Sequence, residues 1–492
     1  MSGIAVAQGR AVGVQPGVVF SRALNRLAQR FAGGIALAAI VLLAASPSAT
    51  ASGASLVRDI NPGDESFPVD ITNVGGTALF VADDGTRGDE LWRSDGTAAG
   101  TRLVRDIRPG ASGSFPPLCV CEEDELTNLR GKLFFSANDG AHGFELWRSD
   151  GTAWRTRLVR DIRPGSGGSG PYLLTSVGGT LFFGADDGAH GFELWRSDGT
   201  AAGTRLVRDI KGGADGSLPE SLTNVGGTLF FVAGHRPHGY ELWRSDGTRK
   251  STKLVRDIKP GAVGSDPVAL TSLGRTLFFN AGDGTHGREL WRSDGTAAGT
   301  RLVRDISAGG SSRPSGLTDV GRTLFFVADD GTRGRELWRS NGTGKGTKLV
   351  RNIYPGGGGS YPRNLTNFGG TLFFVADDGT HGRELWRSNG TAAGTKLVRD
   401  IWPGDGHSYP DGPAFLTNVG ATLFFTADDG IHGHELWRSD GSAAGTQLVR
   451  DIKPGAVDSY PYSPYDLTNV GGTLFFSADD GTHGYELWKA VP

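Results

Sequence analysis

The chain has 492 residues, of which 79 are Gly and 23 are Pro, so about a fifth of it favours turns. Glycine disfavours helix interiors, which excludes long helices, bundles and coiled coils. The 37% of hydrophobic residues, with 25 Phe, exclude a disordered chain, and a formal net charge of −3 lacks the basic footprint of a nucleic-acid binder.

The N-terminus reads first. Arg10, Arg22, Arg26 and Arg30 make a positive stretch, Phe31 to Ala45 is apolar, and Ala49-Thr50-Ala51 offers small residues for cleavage. This is the pattern of a secretory signal over residues 1–51. Fifteen apolar residues span about 22 Å as a helix, short of a bilayer core of about 30 Å. An uncleaved anchor is the other reading. Without these residues 46 basic face 53 acidic side chains, a net −7. No later segment is apolar enough to cross a membrane, so residues 52–492 are expected to be exported, soluble and monomeric, outside the cell or in a periplasm.

After residue 55 the chain repeats itself. Glu-Leu-Trp recurs with its Trp at Trp92, Trp147, Trp195, Trp243, Trp291, Trp338, Trp386, Trp437 and Trp488, mostly 47 to 51 residues apart. Leu-Val-Arg-(Asp/Asn)-Ile also occurs nine times, from Leu56 to a last copy at Leu448. Each unit holds four short apolar runs, as in Leu174–Val177, Thr180–Phe183, Glu193–Arg196 and Arg205–Ile210. Gly-Gly, Asp-Gly and Ser-Asp-Gly-Thr separate them, and these are hairpin signals. Four antiparallel strands every 40–50 residues mark a β-propeller blade. The predicted fold is therefore all-β, a single closed propeller of nine four-stranded blades. The lone strand Leu56–Ile60 would complete the last blade and remove an exposed sheet edge. A β-solenoid with two rungs per unit is the structural alternative.

Cys119 and Cys121 form one Cys-Val-Cys insertion in the second unit. A bridge across that spacing would be tight, so either a local disulfide or free thiols are expected, with no catalytic part.

The string Glu-Leu-Trp-Arg-Ser-Asp-Gly-Thr at 90–97, 145–152, 193–200, 241–248 and 289–296 resembles the ELWxxDGT-repeat family of secreted bacterial proteins, sometimes labelled hyalin-like. Asn341 and Asn389 replace the Asp, and Ser442 replaces the Thr. The resemblance implies the architecture and export, and brings no chemistry with it.

Alternation puts Glu90 and Trp92 on one face of a strand. Recurring Trp is expected to wedge blades apart rather than stack on sugar. Seven His share one position (His142, His190, His238, His286, His381, His432, His483), where Arg87 and Arg333 stand in two units. A site that takes His or Arg wants a donor, not a metal ligand; by analogy with other propellers it would brace turns such as Asp95, Asp150 and Asp198. No metal and no cofactor are expected. Calcium at the Asp-Asp-Gly turns is weighed and set aside, because adjacent Asp side chains do not give the alternating ligands of a calcium loop.

A site needs asymmetry, and the loops joining one blade to the next supply it. Tyr354, Tyr361, Trp402, Tyr409, Tyr460, Tyr462 and Tyr465 gather in the last three units, and these are the candidate ligand-binding residues. The expected function is a non-catalytic binding or structural module at a cell surface or in a matrix, with a polysaccharide or protein as partner. The alternative is a propeller-type polysaccharide lyase or glycosidase on the late-blade loops, where Asp405, Asp411, Asp458 and Asp466 could meet. No catalytic residue is assigned, and the chain is expected not to be an enzyme.

Overall fold

Glycine sits where the backbone turns left-handed. In the third unit Gly178 and Gly179 both have positive φ, 57° and 81°, and they join two antiparallel strands by the two-residue turn that matches strand twist. A computed structural model describes residues 53–115, 126–404, 414–455 and 464–492. It holds nine four-stranded antiparallel sheets, and its helix among the described residues is the single 3₁₀ turn Ala153–Arg155. The chain is a nine-bladed β-propeller, as its repeats predict.

Blade 1 comprises inner strand a (Val69–Val74), b (Thr77–Asp83), c (Asp89–Ser94) and outer strand d (Arg102–Arg105). Blades 2 to 8 repeat this plan. Blade 9 takes Tyr465–Val470, Thr473–Asp479 and Tyr485–Ala490 from the C-terminus, and its outer strand Ala54–Arg58 from the start of the ring. That swap closes the circle.

Blades pack through apolar faces set by strand alternation. In blade 3, Phe183 lies opposite Trp195, and both pack with Phe134 and Leu146 of blade 2. Phe182 and Leu194 point the other way, onto Phe231 and Trp243 of blade 4. Trp195 is 4% exposed. Burying 150–250 Å² of indole contributes roughly 4–6 kcal/mol by area, as an upper bound. The nine repeated Trp are wedges.

The charged repeat residues stitch the ring. Glu90 is fully buried and accepts from Ile107 N, Arg108 N and the Ser114 hydroxyl at 2.8–3.1 Å, which anchors the loop to the next blade. Arg105 reaches the Thr156 carbonyl of blade 2, 2.5 Å away. Near the lower end of the channel, Asn side chains donate to the inner strand of the preceding blade: Asn128 to Asn73, Asn418 to Asn367, Asn469 to Asn418. Asn73 donates to Asn469 across the seam, so the series runs through the closure.

Two kinks shape the upper mouth. The residue before the loop proline is left-handed at Phe67, Leu218, Asp266, Arg313 and Tyr361, with φ of 44–49°. The second residue of the inner strand is left-handed too, at Asp70, Leu173, Ser221, Ala269, Asn364, Phe415 and Asp466. Each costs about 1–3 kcal/mol.

Candidate functional site

The loops between blades and the b–c turns share the upper face, and there the nine units differ most. Tyr354 follows Ile353, and its ring lies flat on Gly379 of the next blade's turn, where a Cβ would come within 2.9 Å of it. Trp402 covers Gly430 in the same way, at 2.8 Å. In other blades the slot holds Arg163 over Gly188 or Lys453 over Gly481, and these cations pair with Asp186 and Asp479 at 2.9 and 2.7 Å. Tyr354 and Trp402 therefore pack as part of the scaffold. Tyr465 is also buried, at 9% exposure, with its ring 5.4 Å from Tyr485, which stacks on Phe67 at 5.2 Å. Tyr361 alone among the described candidates is exposed, at 47%. Tyr409, Tyr460 and Tyr462 lie outside the described residues, as do Asp405, Asp411, Asp458, Cys119, Cys121 and the signal segment. Asp466 accepts from Ile71 N at 3.1 Å.

The repeated His does not brace the Ser-Asp-Gly turns. It closes its own b–c turn instead: His142 Nδ1 lies 2.8 Å from Asp139, and His381 lies 2.9 Å from Asp378. Arg87 and Arg333 pair with Asp84 and Asp330 in the same way. The structure bears out a donor position, with a different acceptor. His238 is the exception, paired with Asp257 at 2.7 Å. The turn carboxylates also accept from backbone N–H groups, as Asp84 does from Thr86 and Arg87. Among the described residues no three His, Cys, Asp or Glu converge as a metal would require.

A second variable position marks the site, and it escaped the sequence reading. The residue immediately before Glu-Leu-Trp is Asp89, Phe144, Phe192, Tyr240, Arg288, Arg335, Arg383, His434 and Tyr485. Among the described residues six of them hold the next blade's pre-proline residue on their carbonyl, as Tyr485 O accepts from Phe67 N, Tyr240 O from Asp266 N, Arg288 O from Arg313 N and Arg335 O from Tyr361 N. Pairing these two positions across the loop, rather than reading one alone, would have exposed the pattern. At the seam the pair is aromatic. Over blades 4 to 7 it is polar.

That arc runs continuously. Glu220 opens the inner strand of blade 4 and is solvent-exposed at the rim, yet the blades crowding its carboxyl raise its pKa, and the neighbouring Asp266 carboxylate raises it further. Arg288 reaches back to the Asp266 carbonyl at 2.6 Å and to Asn280 Oδ1 at 3.2 Å. Arg335 donates to Ser315 Oγ at 2.5 Å and to the Arg313 carbonyl at 3.3 Å. Burial, and the cationic Arg313, lower the pKa of both Arg288 and Arg335. A carboxyl group whose pKa is raised, the Asp266 carboxylate that helps raise it, three guanidinium groups and one exposed Tyr thus share one side of one mouth.

No family model matches the chain, and no curated protein matches it. Solved structures do. A puromycin hydrolase is 15% identical with a TM-score of 0.35, over 72% of this chain and 57% of that one. A puromycin-hydrolyzing peptidase of Mycobacterium tuberculosis is 14% identical with a TM-score of 0.38, over 84% and 57%. The GH74 enzyme of Niastella koreensis is 12% identical with a TM-score of 0.34, over 89% and 73%. The chain thus spans a little over half the length of the peptidases. The expectation of a non-catalytic binding or structural module, and of no enzyme activity, is corrected to this extent: the proteins found are enzymes. At this identity what is shared is the propeller fold, and the chemistry has to come from the chain's own residues.

Proposed function

We propose that the chain is an exported β-propeller enzyme that cleaves a polysaccharide, a glycosidase or lyase working at the upper channel mouth over blades 4 to 7. Export rests on the N-terminal signal pattern, and membership of the ELWxxDGT-repeat family on nine tandem copies of Glu-Leu-Trp, five of them with the full motif. One observation carries the chemistry: Glu220 and Asp266 come from neighbouring blades onto one rim, where crowding and then the Asp266 charge raise the pKa of Glu220. Glycosidic cleavage needs a proton donor for the leaving oxygen and a second carboxylate on the reacting sugar. Glu220 is the donor and Asp266 the second carboxylate. Tyr361 offers an exposed face for a sugar ring further along the arc. The site lies earlier in the chain than the late-blade loops, because Tyr354, Trp402 and Tyr465 are occupied in packing.

The test is release of reducing ends, and of unsaturated ends by ultraviolet absorbance, from a panel of neutral and acidic polysaccharides. Wild type should act on at least one of them. Glu220→Gln and Asp266→Asn should each lose at least about 10²-fold in rate while melting as wild type does. Variants that cleave normally, or a wild type inert toward the whole panel, would overturn the reading.

A further inference from the structure

We infer that Arg288, Arg313 and Arg335 form a binding site for the carboxylate groups of an acidic polysaccharide, so that the enzyme's substrate carries uronic acids. This deepens the polysaccharide reading above and rests on it for the class of ligand.

The cluster is asymmetric in a ring that is otherwise repetitive. At the same two positions other blades pack rings or small residues: Tyr485 with Phe67, Phe144 with Gly170, Phe192 with Leu218. Blades 5 and 6 hold cations there instead. Arg313 is exposed, and it sits between Arg288 and Arg335, close enough to repel both. None of the three has a carboxylate oxygen within salt-bridge distance among the described residues. The side-chain hydrogen bonds of Arg288 and Arg335 go to backbone carbonyls, Asn280 and Ser315, which position these guanidinium groups without neutralising them. Asp266 attracts Arg288 and Asp329 attracts Arg335, but neither carboxylate closes a salt bridge with its guanidinium, and Arg313 opposes both, so a bound anion would relieve the arrangement. Arg presents a planar fork that matches a carboxylate in bidentate fashion.

The surroundings favour a sugar acid over a nucleic acid. The same face carries a b–c turn with one or two Asp in most blades, and the chain is net acidic, which opposes a long polyphosphate. At these two mouth positions the cations fall on neighbouring units, as Arg288, Arg313, Arg335 and Arg383. Tyr361 lies beside Arg335, so a ring can stack where its carboxylate is held. Glu220 and Asp266 lie at the other end of the arc.

Binding of the full chain to polygalacturonate, dextran sulfate, dextran and single-stranded DNA tests this by titration calorimetry at low and moderate salt. Polygalacturonate should bind and dextran should not. Arg313→Gln and Arg335→Gln should each weaken binding about 5- to 20-fold, with a shallower salt dependence. Arg275→Gln, on the opposite face, serves as the charge control and should change nothing. Arg313 is exposed, so its variant keeps the fold, and an unchanged melting curve verifies this. Equal binding of dextran, stronger binding of DNA or of dextran sulfate, or unaltered affinity in both arginine variants would overturn the inference. Arginine-dependent binding of polygalacturonate with no cleavage of any polysaccharide would leave this site standing and remove the enzyme reading. Cleavage of a neutral polysaccharide with no effect of the arginine variants would do the reverse.

Discussion

The backbone N–H of Arg313 donates to the carbonyl of Arg288 at 3.0 Å, which holds two cationic residues together where the seam of the ring holds Phe67 and Tyr485. A pair kept for packing would not be built this way. Arg313→Gln removes the repulsion and an exposed charge at once. Thermal melting in low salt should therefore show stability unchanged or raised, by up to about 0.5 kcal/mol. A clear fall would make Arg313 a scaffold residue.

The wedge role of the repeated Trp has a direct consequence. Trp195 packs with Phe183, Phe134 and Leu146 between blades 2 and 3. Trp195→Ala should cost about 3–5 kcal/mol, read as a lower denaturant midpoint. Trp154, 72% exposed on the c–d turn of blade 2, makes the contrast: its replacement by Ala should stay within about 0.5 kcal/mol.

Acid should stabilise the ring. Burial pushes Glu90 and Glu486 up to about 7 and Glu384 to about 8, against hydrogen bonds that oppose it. Their ordinary value is 4.5, so between that and 7–8 the folded state keeps protons that the unfolded chain has lost. Stability from these groups falls as pH rises through that window. The turn histidines act in the same direction. Asp139 raises His142 and Asp480 raises His483, so their contribution is full below 6.5 and disappears as pH passes the raised value. The melting temperature should be higher at pH 5 than at pH 8.5. Glu486→Gln should flatten that slope, and a melting temperature that climbs toward pH 8.5 would refute the assignment.

The Asp-Asp-Gly turns already have their partners. Asp83 and Asp84 accept from Gly85 and Thr86 N–H groups, and the second Asp of most turns also holds a His or Arg. Neither EDTA nor millimolar calcium should move the melting curve. A shift of several degrees with calcium would reveal ligands that this geometry does not bring together.

Architecture was legible because one physical rule repeats nine times. Gly-Gly and Asp-Gly mark the turns, alternation marks the faces, and Trp on the third strand of each blade marks the blade contacts. The roles of Tyr354 and Trp402 were not legible, since a ring in a variable loop reads as exposed until the glycine beneath it is seen. The mouth arc was hidden for a similar reason. Arg288 and Arg313 are 25 residues apart in sequence, and only the hydrogen bond between blades makes them neighbours. Asp266 and Glu220 looked ordinary, because each is acidic in one unit and something else in the rest.

Ala54–Arg58 pairing with Tyr485–Ala490 also sets a timetable. Joining neighbouring blades closes loops of about 50 residues, whereas fastening this pair closes one of more than 400. Closure entropy grows only logarithmically, so the longer loop costs about 2 kcal/mol more. The clasp is thus inexpensive to hold once made, but it cannot be made until the final strand is free to meet the first. Until then eight blades and three strands of the ninth stand as an open horseshoe with two raw edges, Ala54–Arg58 and Tyr485–Ala490, each a template for pairing with another strand.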